Sequence, residues 1–212
     1  MPPKNIVTKE QIIQAAADIA GESGADAVTA RSVAAKLGIS THPIFSYYKS
    51  VDELKTDMYY AAENIYRRYV ECGLSQPIPF LGVGQQYIKF AKEKPELYKM
   101  LFLTKPCGTS GGAMEALAFS QELARGSLMR IYNMDAETAD CYFRDLWLVV
   151  FSLATLIVTD SCPYTDEQMS AILTEVSLSV CKAYKEIPGI TTGEFDKDAI
   201  FGELVKKKQP EI

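Results

Sequence analysis

Side chains able to make or break bonds are sparse in this chain. His42 is its only histidine, and Cys72, Cys107, Cys141, Cys162 and Cys181 are odd in number, with no C-x-x-C spacing. A nucleophile-histidine arrangement or a multi-histidine metal site would have to pass through position 42, and the cysteines suggest neither a disulfide framework nor a zinc site. Reduced thiols fit a cytosol best. With no phosphate loop and no clustered acid pair, the expectation is a cytoplasmic protein that is not an enzyme and carries no metal or cofactor. What is chemically dense is residues 29–54, TARSVAAKLGISTHPIFSYYKSVDEL, where Thr29, Arg31, Ser40, Thr41, His42, Ser46, Tyr47 and Lys49 gather hydroxyls, an imidazole and cations. Such groups hydrogen-bond and pair with charge.

Helical signals supply the support that this stretch needs. Thr8-x-x-Gln11 is a capping-box pattern, followed by Ile12, Ile13, Ala16, Ile19 and Ala20 at helical spacing, with Gly24 as a stop. Thr29 can cap a short helix carrying Val33, Ala34 and Leu37, which Gly38 ends because glycine enters the left-handed conformation freely. Ser40 is expected to cap a third helix. Ser50-x-x-Glu53 opens a long fourth one with Leu54, Met58, Ala61, Ala62, Ile65 and Tyr69 on one face. Two short helices joined at Gly38 have the proportions of a helix-turn-helix, with Val33, Ala34, Leu37, Ile39, Ile44, Phe45 and Tyr48 expected to form its inner surface.

Pro77 and Pro79 break the pattern. Helices are then expected over 80–94, 95–103 and 113–132, with Thr104–Gly112 as a glycine-rich loop between the last two. Asp135 can cap an apolar helix ending near Thr159, and Thr165-x-x-Gln168 another running to about Glu186, where Pro188 and Gly189 stop it. One more short helix can follow Gly193, before a solvated end at Lys206–Lys208. The longest apolar run, Leu146–Val158, is shorter than the ~20 residues that a membrane span needs and reads as a buried helix. MPPKNIVTKE has no apolar run behind its basic residues and does not read as a secretory signal. The fold class is all-α, with about nine helices.

Residues 29–54 also resemble the DNA-binding region of TetR-type transcriptional regulators. Thr29, Arg31, Val33, Ala34, Gly38, Ile39, Ser40, Ile44, Phe45, Tyr47, Tyr48, Lys49, Ser50 and Leu54 stand where that family's pattern requires. The resemblance implies an N-terminal three-helix DNA-binding domain, residues 1–54, joined to a larger helical effector-binding and dimerisation domain, residues 55–212. It implies a third helix lying in the major groove and presenting Ser40, Thr41, His42, Pro43, Ser46 and Tyr47. Thr29 and Arg31 would lie near the sugar-phosphate backbone, and Tyr47 and Lys49 resemble the family's phosphate-contacting pair, with Lys55 a further candidate. Two positions depart from the pattern. Pro43 replaces a residue with a backbone N–H, and Val51 stands where the family commonly has Lys or a polar residue.

The net charge of −5 argues at first against a nucleic-acid partner, yet it is unevenly placed. In residues 1–55, Lys4, Lys9, Arg31, Lys36, Lys49 and Lys55 are matched by Glu10, Asp18, Glu22, Asp26, Asp52 and Glu53, so the surplus acid belongs to the rest. A neutral head can bind DNA if its cations share one face, with an affinity that falls steeply with salt. In the second block, Tyr87, Phe90, Tyr98, Phe102, Phe119, Phe143, Trp147 and Phe151 are candidates to line an effector cavity, although aromatics at helical spacing are more often plain core. The two last long helices resemble the family's four-helix dimer interface, with Leu148, Phe151, Ser152, Thr155, Ile172, Val176, Ser179 and Val180 as candidate contacts. The expected function is thus a homodimeric regulator, more simply a repressor than an activator, that binds palindromic double-stranded operator DNA and is released by a small-molecule effector, with no membrane partner. The alternative is a helical sensor or interaction module that keeps the fold without specific DNA binding.

Overall fold

The computed structural model describes residues 7–104 and 112–206, and among them it contains ten α-helices and no strand. Most of the expected glycine-rich loop, Cys107 and the tail after Lys206 lie outside the described residues.

The first four helices begin where local hydrogen bonding allows. In α1 (Lys9–Ser23) the Thr8 side chain accepts from the Gln11 N–H at 3.3 Å, and the Gln11 side chain accepts from the Thr8 N–H at 3.0 Å. α2 (Ala30–Leu37) is capped by Thr29 in the same reciprocal way, with Ser32 as partner, and ends on Gly38 in the left-handed region (φ 67°, ψ 32°). α3 (His42–Tyr47) starts one residue later than expected, because Thr41 and not Ser40 precedes it. No side chain caps it, and Pro43 fills its first turn, where a missing N–H costs nothing. α4 (Val51–Leu74) opens with Ser50 accepting from the Glu53 N–H, while the Glu53 carboxylate reaches past Ser50 to accept from the Lys49 N–H at 2.7 Å.

Seven further elements complete the body. α5 (Pro79–Glu93) lies along α4. The helix expected over 95–103 is a single turn, α6 (Pro95–Tyr98), that widens into a π turn over Lys99–Leu103, closed by the Thr104 N–H bonding to the Lys99 carbonyl at 3.0 Å. Leu97, Tyr98, Met100, Leu101 and Phe102 are all buried there. Then come α7 (Ala113–Tyr132), α8 (Ala136–Val158), α9 (Asp166–Glu186) and α10 (Lys197–Lys206). Asp135 caps α8 and Thr165 caps α9, as the spacing predicts.

α4 ties the molecule together. Its first turns pack on α1, and its later turns on α5 and α7; α8 in turn touches α5, α7 and α9. Leu54, Met58, Ala62, Tyr66, Val70 and Gly73 form the buried stripe of α4. The closest approach is at its end: a Cβ on Gly73 would lie 2.5 Å from the Val83 backbone, and one on Gly82 would lie 2.4 Å from the Gly73 carbonyl oxygen. By length and composition α8 could cross a membrane, but it is packed among α5, α7 and α9, with Tyr142, Phe143, Leu146, Trp147 and Leu153 among its buried residues.

Candidate nucleic-acid interface and ligand cavity

The head is assembled from Val28, Val33, Ala34, Ile44, Tyr48 and Leu54, all buried against α1. Leu37 and Ile39 are partly buried, but Phe45 is 50 % exposed and does not belong to the inner surface expected of it. It stands in the open with Ser40, His42, Ser46, Tyr47 and Lys49, while Thr41 and Pro43 are half-buried at its edge. Tyr47 is 44 % exposed, and its hydroxyl donates to the Val7 carbonyl at 3.2 Å, which ties α3 to the chain before α1. Thr29 and Arg31 are exposed at the start of α2.

A second tie fixes α3 from behind. The Tyr48 hydroxyl donates to Asp57 Oδ2 at 2.9 Å, Lys9 Nζ pairs with the same oxygen at 2.7 Å, and the ammonium lies 5.3 Å from the centre of the Tyr48 ring. Lys9 above all, then Tyr48, holds the Asp57 carboxyl below its ordinary value, against burial that would raise it. Neither Asp57 nor Lys9 was singled out by its sequence spacing, since the tie joins three elements. Lys36 is paired with Glu22. Arg31 and Lys49 form no ion pair among the described residues, whereas Lys55 lines a separate groove with Asp26, Glu96 and Lys99.

In the body, Tyr66 of α4 is fully buried and donates to or accepts from the Ser120 hydroxyl at 2.8 Å. Its ring centre lies 5.2 Å from that of Phe102, 5.4 Å from Phe90 and 5.7 Å from Tyr87, separations at which tilted and edge-on aromatic pairs attract. Beside this cluster a cavity of about 30 Å³ is lined by Tyr66, Phe80, Leu81, Val83, Gly84, Tyr87, Phe143, Leu146, Trp147, Val150, Leu173 and Ser177. Of the eight aromatic candidates, Tyr87, Phe143 and Trp147 meet there. Phe90, Tyr98 and Phe102 are buried in the core beside it. Phe119 lies under the Arg67 guanidinium, 4.7 Å from ring centre to carbon. Phe151 stacks on Trp147 at 4.9 Å. The other nine wall residues, Tyr66, Phe80, Leu173 and Ser177 among them, were not among the candidates.

Two side chains of this wall carry buried polar atoms with no hydrogen-bond partner, the Tyr87 hydroxyl and Trp147 Nε1. Burial raises the Tyr87 pKa well above 10, with Tyr66 and Tyr98 adding to it, so its hydroxyl keeps its proton. Tyr98 spends its own hydroxyl on the Phe151 carbonyl at 3.2 Å and on Thr155 at 3.1 Å. Thr155, partly buried, is thus bonded within its own chain. Leu148, Ser152 and Ser179 are exposed, and Phe151, Ile172, Val176 and Val180 are partly buried.

The all-α architecture and its helix-turn-helix head are the fold of TetR-type transcriptional regulators. The chain is similar in structure to a TetR-family transcriptional regulator from Streptomyces coelicolor, with a TM-score of 0.65 and 18 % identity, covering 98 % of this chain and 97 % of that one. It is also similar to the multidrug binding protein EbrR in complex with imidazole, with a TM-score of 0.54 and 21 % identity over 79 % of this chain and 93 % of that one. No protein-family model and no curated protein matches the sequence.

Proposed function

We propose that the chain is a cytoplasmic, ligand-responsive transcriptional regulator. Residues 1–54 read DNA, and residues 55–212 bind an effector and form a homodimer that represses by occupying a palindromic operator. The observation that carries this reading is the exposed face of α3, where His42, Phe45, Ser46 and Tyr47 are displayed on a backbone fixed by the Gly38 turn and by the Tyr48–Asp57–Lys9 tie. Side chains with so little burial and so rigid a support suit base edges and phosphates.

Dimerisation is supported by how little of α9 its own chain covers. Only Met169 and Leu173 are buried in its twenty-one residues, while Leu178 is 67 % exposed and Leu148 of α8 is 49 % exposed. A second copy laid across α8 and α9 would cover both leucines, giving an isologous two-fold contact. Release by an effector has a route through α4. Tyr66 lines the cavity, and the same helix begins at the head, so an occupant that parts α5 from α8 also pushes on the helix that carries α3.

The test is fluorescence anisotropy on DNA from upstream of the protein's own gene. Wild type is expected to bind a palindromic fragment. Lys49→Ala is expected to lower the slope of log affinity against log salt by about 1.8 per dimer, since each phosphate that a subunit ceases to neutralise takes away about 0.9. Absence of salt-dependent binding would favour a helical sensor that has kept the fold alone.

A further inference from the structure

The cavity beside Tyr66 contains more chemical information than its size suggests. Its wall has no Asp, Glu, Lys, Arg or His, so neither a cation nor an anion would find a countercharge there. Its polar groups are a few hydroxyls and one indole. The Ser177 hydroxyl is engaged with Tyr142 at 2.8 Å and the Tyr66 hydroxyl with Ser120, which leaves Trp147 Nε1 and the Tyr87 hydroxyl, approached by the Tyr98 hydroxyl, without a hydrogen bond of normal geometry. Both side chains are almost wholly buried, at 2 % and 4 % exposure. The indole N–H can only donate, and a buried phenol that keeps its proton donates in preference. Leaving such groups unpaired costs about 1–3 kcal/mol each, so an occupant of the cavity is selected for the ability to accept from them.

We infer that this cavity binds an uncharged aromatic molecule bearing a hydrogen-bond acceptor, held by the Tyr87 hydroxyl and Trp147 Nε1. The inference rests on the regulator reading only in calling that molecule the effector; the binding chemistry stands apart from it. One face of Trp147 is already covered by Phe151, and the Tyr66 and Tyr98 rings stand perpendicular to that of Tyr87, so a cation would meet partly covered rings and no carboxylate. At about 30 Å³ the cavity holds roughly one water molecule, and entry of a ring requires the surrounding aromatic side chains to part.

Trp147 is the only tryptophan, so its indole N–H gives a single assignable NMR signal at the site. Three probes of nearly the same shape separate the possibilities: pyridine, which is neutral at pH 7.5 and has an acceptor nitrogen; benzene, which has none; and N-methylpyridinium, which is charged. Pyridine is expected to shift the indole proton downfield and to bind about tenfold more tightly than benzene, the ratio expected from one buried hydrogen bond. N-methylpyridinium is expected not to bind. Tyr87→Phe, checked for an unchanged melting temperature, should bring pyridine down towards benzene and leave benzene unaffected. The inference is overturned if N-methylpyridinium binds as well as pyridine, if benzene equals pyridine in the wild type, if Tyr87→Phe leaves their ratio unchanged, or if no probe moves the indole signal. Anisotropy on operator DNA in the same samples reads the other question. DNA binding that is lost from the apo protein removes the regulator reading and leaves the ligand chemistry intact, whereas failure of the probes with DNA binding retained removes only the ligand chemistry.

Discussion

The crossing of α4 and α5 is so close that adding one methyl group there should unseat it. In Gly82→Ala the new Cβ would stand 2.4 Å from the Gly73 carbonyl oxygen and within 2.8 Å of two atoms of the Gln76 side chain. The Gln76 Cγ can rotate away, but its Cβ and the Gly73 oxygen are fixed by the main chain, so the helices must separate by about 1 Å to reach ordinary contact at 3.4 Å. Overpacking of this kind costs typically 1–3 kcal/mol, and the gain in helix propensity of about 0.5–1 kcal/mol on replacing glycine offsets only part of it. A main-chain obstacle argues for the upper part of that range, so a net loss of about 2 kcal/mol is expected, equivalent to about 4–8 °C in Tm for a chain of this size. Gly126→Ala is the matched control: the same chemical change lies in the middle of α7, and its Cβ would meet nothing within 4 Å. There the propensity gain acts alone and Tm should rise by about 1–4 °C. Thermal unfolding of both variants by circular dichroism decides the matter. A Gly82→Ala protein as stable as wild type, or one that shifts in the same direction as Gly126→Ala, would refute the close packing. Val83, Gly84 and Tyr87 of α5 line the cavity, so the displaced helix should also loosen the packing around Trp147 and shift its fluorescence to the red.

Burial raises the Glu63 carboxyl above its ordinary 4.5, with Glu115 adding to the rise and Arg67 opposing it. Because the folded state disfavours the charged form, stability at this site is greatest below 4.5 and is lost as pH rises through the raised pKa. Glu63→Gln should therefore raise stability at pH 7, by less than about 1 kcal/mol at a partly buried position, and the gap to wild type in Tm should close on acidification. Asp57 has the opposite sign: its depressed pKa contributes stability above the ordinary 3.8 that is lost as pH falls through the folded value. Asp57→Asn is thus expected to cost up to about 1 kcal/mol at neutral pH and nothing in strong acid, as read by melting curves against pH. Charging both exposed leucines, Leu148→Glu with Leu178→Glu, should convert a dimer to a monomer in sedimentation while leaving the helical spectrum unchanged; a dimer that persists would place the interface elsewhere.

Helix starts were legible because caps are local. Thr8 with Gln11, Thr29, Asp135 and Thr165 with Gln168 each need only their own four residues, and each caps as its spacing predicts. What depends on distant partners was not legible. The face of α4 read from periodicity ran through Ile65 and Tyr69, but this helix changes partners along its length, and the buried stripe passes through Tyr66 and Val70 instead. That one-residue shift hid Tyr66, the centre of the aromatic cluster and a wall of the cavity. Gly73 and Gly82 carry no local signal in the sequence, and only the crossing shows why a side chain is excluded there. Phe45 is apolar by type, yet its position on α3 turns it outward, where an aromatic ring serves a contact surface better than a core.

The weak charge of the head can be turned into a number. Lys9 is spent on Asp57 and Lys36 on Glu22, and Lys55 lines another groove, so among the described residues Arg31 and Lys49 are the cations left to the face that bears α3. Two per subunit give four in a dimer, and at about 0.9 per neutralised phosphate the slope of log affinity against log salt should be about −3.6. Between 50 and 200 mM salt that is a loss of about 150-fold, steep enough to measure but short of the 10³–10⁵ expected when about six to ten phosphates are neutralised. A slope near −8 would mean that cations beyond this face reach the DNA. A slope near −3.6 would mean that the rest of the affinity comes from His42, Phe45, Ser46 and Tyr47 against bases and sugars, where binding is less sensitive to salt and more selective for sequence.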